Sequence, residues 1–386
     1  MNMYARKTIH MKPGCRSHQA MDKRTRMRMR IKMGIALLSL LFLTLRANAQ
    51  PDTVRLVFIG DVMAHALQLE HACGKQQELP RESEAYKWDS YFSGIAGYLK
   101  KADYAVANME FSCGTAPYSG YPMFSAPASL AQAACDAGID LFMCANNHIG
   151  DKGVKGLEST IYTYNSIGVD RVGVYADSAD FIAGFPLVRN IGNPNGDSVR
   201  VAFINFTYGT NGMKIAPPYI VPLMDTAVVR QAIVRARERG AEYVVALPHW
   251  GVEYKLNPSV EQQKWREFLF DSGVDAIVGS HPHVVQPVIM ENGRVTAYSL
   301  GNFISNMSAA NTQAGYMLIL ELTRGVQGRI KTSVKVEKLW CPRFNGPGPD
   351  WTTVLYREYE DKPELFRNRQ EHAKMVRTWG AIEKNN

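Results

Sequence analysis

Hydrophobic residues along this chain follow two alternating rhythms. Compact β-branched runs, Val54–Gly60, Ala102–Met109, Ile139–Cys144, Tyr243–Leu247, Val274–Val278 and Thr296–Leu300, have the length and content of buried strands. Between them, apolar residues recur every three or four positions. Trp88, Tyr91, Phe92, Ile95 and Leu99 predict a helix over 81–101, and Val154, Leu157, Ile161 and Tyr164 another over Gly153–Gly168. A short helix capped by Ser129 and closed by Gly138, an amphipathic one over Asp225–Arg239 stopped by Gly240, and one opened by the capping box Ser259-x-x-Gln262 complete the set. Phe185–Asn190 and Val199–Phe206 flank the turn signal Asn193-Pro194-Asn195-Gly196-Asp197, and Tyr316–Leu322 and Ile330–Leu339 read as paired strands. Residues 346–386 read as a polar, helical and peripheral extension. The alternation predicts an α/β layered domain over 50–345, with ligands bound at the carboxyl ends of its strands.

The first 49 residues change the charge picture. They carry eleven basic residues and one acid, then an apolar run from Gly34 to Leu45 and the small residues Ala47 and Ala49. That order predicts a secretory signal peptide over 1–49, with a long basic n-region and cleavage before Gln50. The run is short for a membrane span, which needs roughly 20 residues. Membrane association is expected only if this segment stays on the chain. The leader's net +10 leaves about −2 of the formal +8 for the remainder, so the basic pI is no argument for a nucleic-acid partner. The expected location is the periplasm or cell surface. Five cysteines follow the leader, none in a Cys-x-x-Cys pair, which argues against a thiolate zinc site. Export would permit a Cys73–Cys113 bridge.

Each strand end carries chemistry. The clearest is Gly279-Ser280-His281-Pro282-His283, just past Val274–Val278. On extended backbone the i, i+2 spacing would point both imidazoles the same way. Other strand ends deliver Asp61, Glu110, Asn147-His148, His249 and Asn302. Carboxylates, an amide oxygen and imidazoles suit a divalent transition metal, Zn, Mn or Fe, better than Ca²⁺ or Cu(I). There are enough of them for one ion or for two sharing a carboxylate.

In chain order, Gly60-Asp61-Val62-Met63, Asn108-Met109-Glu110, Ala145-Asn146-Asn147-His148 with Asp151 and Gly153, His249-Trp250-Gly251-Val252-Glu253-Tyr254, Gly279–Gln286 and Ser299-Leu300-Gly301-Asn302-Phe303 resemble the CapA capsule-synthesis family. That family is associated with poly-γ-glutamate and belongs to the calcineurin-like metallophosphoesterase superfamily. The resemblance implies a layered α-β-β-α sandwich. It also implies that Asp61 ligates one metal, Glu110 bridges two, and Asn147 ligates the second. His148 would then act as general acid or transition-state stabiliser, and His249, His281 and His283 would complete the shells. Met63 stands where the superfamily's Asp-x-His opening has a histidine, which leaves one or two ions open; His65 is a candidate substitute.

Each of these residues also has a plainer reading: Asp61 as a helix cap, Glu110 as a solvated acid, the histidines as loop polar groups. Asn108, Asn146, Asp151 and Asn302 are supporting or substrate-contacting candidates, Trp250 a pocket wall, and Glu253 a partner fixing the tautomer of His249. Tyr118, Tyr121 and Phe124 either line the cleft or pack the loop. Two functions compete: a metal-dependent hydrolase acting on a phosphoester or a related acyl or amide bond, and a non-catalytic component binding an anionic capsule polymer for transport or anchoring.

Overall fold

The computed structural model describes residues 53–75 and 78–385. The leader, with its predicted cleavage site, lies outside them. Among the described residues no helix is long and apolar enough to cross a membrane.

Along the chain the strands are β1 (Thr53–Val62), β2 (Tyr104–Met109), β3 (Leu141–Met143), β4 (Asp170–Val172), β5 (Leu187–Gly192), β6 (Ser198–Thr207) and β7 (Tyr243–His249). They continue with β8 (Ala276–Val278), β9 (Val288–Glu291), β10 (Arg294–Ala297), β11 (Asn302–Ile304), β12 (Ala314–Arg324), β13 (Ile330–Trp340) and β14 (Val354–Leu355). One large sheet runs β14-β13-β12-β1-β2-β3-β4 with β11 beside β1, a second runs β9-β10-β8-β7-β6-β5, and the short segments Ser112–Cys113 and Ser125–Ala126 form a separate parallel pair. β1, β2, β3 and β4 are mutually parallel, as are β6, β7, β8 and β10, while β12, β13 and the edge strands β5 and β9 add antiparallel pairs.

Side-chain alternation assigns each strand face to a layer. Leu56 and Phe58 of β1, Val106 of β2 and Leu318 and Leu320 of β12 meet Val201 and Phe203 of β6 and Val245 and Leu247 of β7 in one buried cluster between the sheets. Their neighbours of opposite parity face outward. Val57, Ile59, Ala105 and Ala107 pack on Leu130, Ala134, Leu157 and Ile161, from helices Ala128–Asp136 and Gly153–Ile167. Ala202, Ile204, Val244 and Ala246 pack on Val229, Ile233, Leu269 and Phe270, from helices Thr226–Glu238 and Val260–Asp271. The result is the α-β-β-α sandwich that the family resemblance implies.

Several local expectations change. The 81–101 segment is not one helix but two single turns, Asp89–Phe92 and Ala96–Leu99, although its five apolar residues are all buried. A Cβ on Gly94 would lie 2.2 Å from the Thr353 carbonyl oxygen, so the late segment of the chain sits directly on this one. The helix expected to start at Ser129 has Pro127 at its cap instead. Far from being peripheral, the last helix, Arg369–Asn385, buries Met375, Trp379 and Ile382 against Trp340 and Val285. Cys73 and Cys113 are not joined; Cys73 Sγ donates to the Glu70 carbonyl instead (3.4 Å).

One close approach positions the site. A Cβ on Gly60 would lie 1.8 Å from the Gly301 carbonyl oxygen, so only glycine lets the two chains meet there. That contact sets Asp61 opposite Asn302 in register.

Candidate metal centre

The parallel strands of both sheets deliver their carboxyl ends to one buried pocket. Asp61, Glu110, Asn147, His249, His281 and His283 are all at most 4% exposed. Their ligand atoms form two sets, Asp61–Glu110–His249 and Glu110–His281–His283, each within 4.8 Å, and Glu110 belongs to both. Its Oε1 lies 3.6 Å from His283 Nε2 and 3.7 Å from His249 Nε2. On one side His283 Nδ1 is 3.2 Å from Asp61 Oδ2; on the other His249 Nε2 is 2.7 Å from Asn147 Oδ1.

The two histidines of the Gly279–His283 loop converge, their ring centroids 6.0 Å apart, but not for the reason strand spacing suggests. Both are in the left-handed backbone region, His281 at φ 101° and His283 at φ 56°. A turn, not a continued strand, brings the rings together. Strained conformations of this kind cost of order 1–3 kcal/mol each and persist only where surrounding contacts enforce them.

A ladder of amides holds the carboxylates. Asn146 Nδ2 donates to the Met109 carbonyl (2.9 Å) and to Asn108 Oδ1 (3.3 Å). Asn108 Nδ2 in turn donates to Asp61 Oδ1 (2.8 Å) and Glu110 Oε2 (3.2 Å). Asn302 contacts His283 Nδ1 through its Oδ1 (3.1 Å) and donates to the Thr312 carbonyl (2.9 Å), so it steadies that ring. Asp151 Oδ2 lies 2.7 Å from His148 Nδ1 and accepts the Phe124 backbone N–H at 2.6 Å. That leaves Nε2 of His148 for a ligand in the cleft above.

Two supporting expectations shift. Glu253 is exposed at the cleft mouth, and the group within reach of His249 Nδ1 is Ser280 Oγ at 2.9 Å. Trp250 is fully buried beneath the site, its indole N–H donating to the Tyr298 carbonyl (2.9 Å). Of the three aromatics, Tyr121 and Phe124 line the cleft, whereas Tyr118 packs in the helix-side core. Met63 is fully buried among apolar side chains. His65 precedes helix Ala66–Ala72, where Gln68 Oε1 accepts its backbone N–H (2.9 Å), and its Nδ1 accepts the Asn306 N–H (3.2 Å). His65 is outside both ligand sets.

Two contributors carried no flag in the sequence. Tyr208, just past β6, tilts its ring against His281 at 4.6 Å. Asn205, fully buried within β6, accepts the backbone N–H groups of Cys144 and Ala145 (3.0 and 2.7 Å) and donates to the Leu247 carbonyl (2.7 Å). It thereby ties the exit of β3 to β7. Tyr208 follows a strand that ends without acid or imidazole, so the sequence carries no signal for it.

The donor set fits a cation. Glu110 Oε1 and His281 Nδ1 are buried without hydrogen-bond partners, and Asp61 Oδ2 has only the His283 Nδ1 contact; a buried polar group left unsatisfied costs about 1–3 kcal/mol. Burial, reinforced by the other imidazoles, holds His249 well below its ordinary pKa and His281 down at about 3, so both present neutral lone pairs. Burial also acts to lower His283, but Glu110 and Asp61 override it and hold it at about 9. Burial raises Glu110 well above the usual carboxylate range, with Asp61 adding to the effect against His283. Like charges confined without water are the condition a divalent ion relieves.

Two β-sheets packed face to face between helices, with carboxylates, an amide and imidazoles gathered at their strand ends, define a layered α/β protein with a candidate metal centre. The family model described as bacterial capsule synthesis protein PGA_cap matches residues 55–307, about two-thirds of the chain, and the chain belongs to that family. Capsule biosynthesis protein CapA of Bacillus anthracis is 32% identical over 241 residues, covering 59% of this chain and 56% of that protein, little more than half its length. PGA biosynthesis protein CapA of Bacillus subtilis (strain 168) is 27% identical over 295 residues, covering 73% of this chain and 71% of that one. Among solved structures, the Haemophilus influenzae NAD nucleotidase NadN aligns over 85% of this chain and 63% of its own, at 11% identity and TM-score 0.46. The Thermus thermophilus sulfate thiohydrolase SoxB aligns over 87% and 61%, at 13% identity and TM-score 0.45.

Proposed function

We propose that this chain is an exported, metal-dependent hydrolase of capsule synthesis that cleaves a phosphoester or a related acyl bond. The observation that carries the reading is the convergence of buried ligand atoms of Asp61, Glu110 and His281, faced by imidazoles alone or by no hydrogen-bond partner, around a carboxylate common to two ligand sets. Asp61, Glu110, Asn147, His249, His281 and His283 would hold one or two divalent ions, with Glu110 common to both ligand sets. Bound there, Zn, Mn or Fe would supply a Lewis acid and lower the pKa of a bound water.

The chain's own residues supply the rest. Asn108 keeps the two carboxylates apart in fixed orientation, and Asn302 and Ser280 steady His283 and His249. Hydrolysis forms a bond from water oxygen to phosphorus and breaks the bond to the leaving oxygen. His148, held through Nδ1 by Asp151, is positioned to give that oxygen its proton from Nε2. Phe124 packs edge-on against the imidazole at 4.7 Å and shields the pair from water.

The family name supports a place in capsule synthesis. A purely electrostatic polymer-binding role is less well supported, because no Lys or Arg is among the described residues lining the cleft. The test is turnover: residues 50–386 with added Mn²⁺ or Zn²⁺ are expected to hydrolyse 4-nitrophenyl phosphate or its diester, with loss of activity on chelation. No turnover of either ester with either metal would overturn the hydrolase reading.

A further inference from the structure

The cleft above the pocket has a volume of about 470 Å³, in the range of small-molecule sites. Its lining is unusual for a protein that handles a polyanion. Two of the lining residues are carboxylates, Asp151 and Glu253, none is Lys or Arg, and His283 is buried at the floor beside Asp61 and Glu110. Asp151 is engaged by His148 and the Phe124 N–H, whereas Glu253 is exposed at the mouth.

The mouth is also aromatic. Tyr121 is 79% and Tyr254 45% exposed. A single exposed tyrosine needs no explanation, but these two come from distant segments and line one cleft. Each is built onto the chemistry below. Tyr121 stands against Phe124 (6.5 Å), itself against His148 (4.7 Å), and Tyr254 lies 6.3 Å from His283. Tyr254 holds a left-handed backbone, φ 65°, fixed by its N–H to the Pro282 carbonyl at 2.8 Å. Left-handed non-glycine residues cluster where a ligand must be met.

Resting on the hydrolase reading, we infer that the cleft takes one reacting anion carried on a neutral ring, with Tyr121 and Tyr254 supplying stacking faces and Glu253 excluding a run of carboxylates. The ring is a sugar or an aromatic group, since both offer a flat face to tyrosine and hydroxyl or N–H donors to Glu253 and Asn211. A γ-linked polyglutamate, with a carboxylate on every unit, meets the Glu253 carboxylate and no Lys or Arg at this mouth.

The experiment compares hydrolysis-resistant probes by calorimetry on the Mn²⁺-supplemented protein: methylphosphonate, phenylphosphonate, a glucosyl phosphonate and a γ-glutamate hexamer. The expected result is that at least one ring phosphonate binds about tenfold tighter than methylphosphonate, the size of a stacking contribution. Which of the two binds tighter identifies the ring. That preference should vanish in the Tyr121→Ala/Tyr254→Ala double variant, and Glu253→Lys should tighten hexamer binding by a larger factor than phenylphosphonate binding. A hexamer that binds wild type as tightly as the ring phosphonates would overturn the inference. So would a ring preference that survives loss of both tyrosines, or no measurable ring-phosphonate binding. Turnover of 4-nitrophenyl phosphate without ring preference refutes this inference alone, and ring preference without turnover refutes the hydrolase reading alone.

Discussion

Asp151→Asn isolates the proton-delivering pair from the rest of the site. Asp151 Oδ2 sits 2.7 Å from His148 Nδ1, with side-chain exposures of 3% and 8%, so solvent screens the contact little. A hydrogen bond to a charged group contributes about 1.5–3 kcal/mol net, and 1.36 kcal/mol is a factor of ten in rate. The substitution should therefore lower kcat roughly 10- to 150-fold where protonation of the leaving group limits the reaction. Asparagine keeps an oxygen for the Phe124 N–H, now accepted at 2.6 Å, so the cleft wall should remain in place. The assay compares two esters in wild type and variant. An alkyl phosphate, whose leaving oxygen needs a proton, should show the full loss. For 4-nitrophenyl phosphate, whose leaving group departs as the anion, the loss should be under about threefold. Equal losses on both esters would refute proton delivery by this pair, and so would an unchanged rate on the alkyl ester.

Two further perturbations test other parts of the structure. With His283 held at about 9, the metal-free pocket keeps a proton at neutral pH. The raised value means its contribution to metal-free stability is full below its ordinary pKa of 6.5 and is lost as pH rises through about 9. Metal binding at pH 7 should therefore release about one proton, seen as buffer-dependent heat in calorimetry, with affinity rising toward pH 9; buffer-independent heat would contradict this. At the far end of the chain, Trp379→Ala should cost about 3–5 kcal/mol in urea unfolding. Trp379→Phe should cost far less, because the indole N–H is buried without a partner; similar midpoints for Ala and wild type would show that the last helix is not part of the core.

The site was legible where an apolar run ended abruptly in a side chain that can bind a cation. Asp61, Glu110, Asn147, His249, His281 and His283 each follow such a run, and the parallel sheets bring those ends together whatever lies between. The layers were legible for the same reason, since alternation within β1 and β6 already sorts residues to two faces. What stayed hidden depends on tertiary contact. Glu253 is close to His249 in sequence, yet Ser280 reaches the ring, because β7 and β8 lie side by side. The helical spacing in 81–101 reflects burial, not a helix, as residues around Thr353 pack on Gly94. In the last helix, Met375, Trp379 and Ile382 do hold the i, i+4, i+7 spacing of a buried stripe, but the surrounding charges masked it.

The most direct measurement is the metal content of the purified protein beside Asp61→Ala, Glu110→Ala and His281→Ala, by elemental analysis after exhaustive dialysis. Wild type should retain at least one and up to two divalent transition ions per chain. Glu110→Ala, which removes the carboxylate common to both ligand sets, should retain the least, and the other two variants an intermediate amount. Identical content in all four proteins, each folded as judged by circular dichroism, would contradict the metal centre at these strand ends.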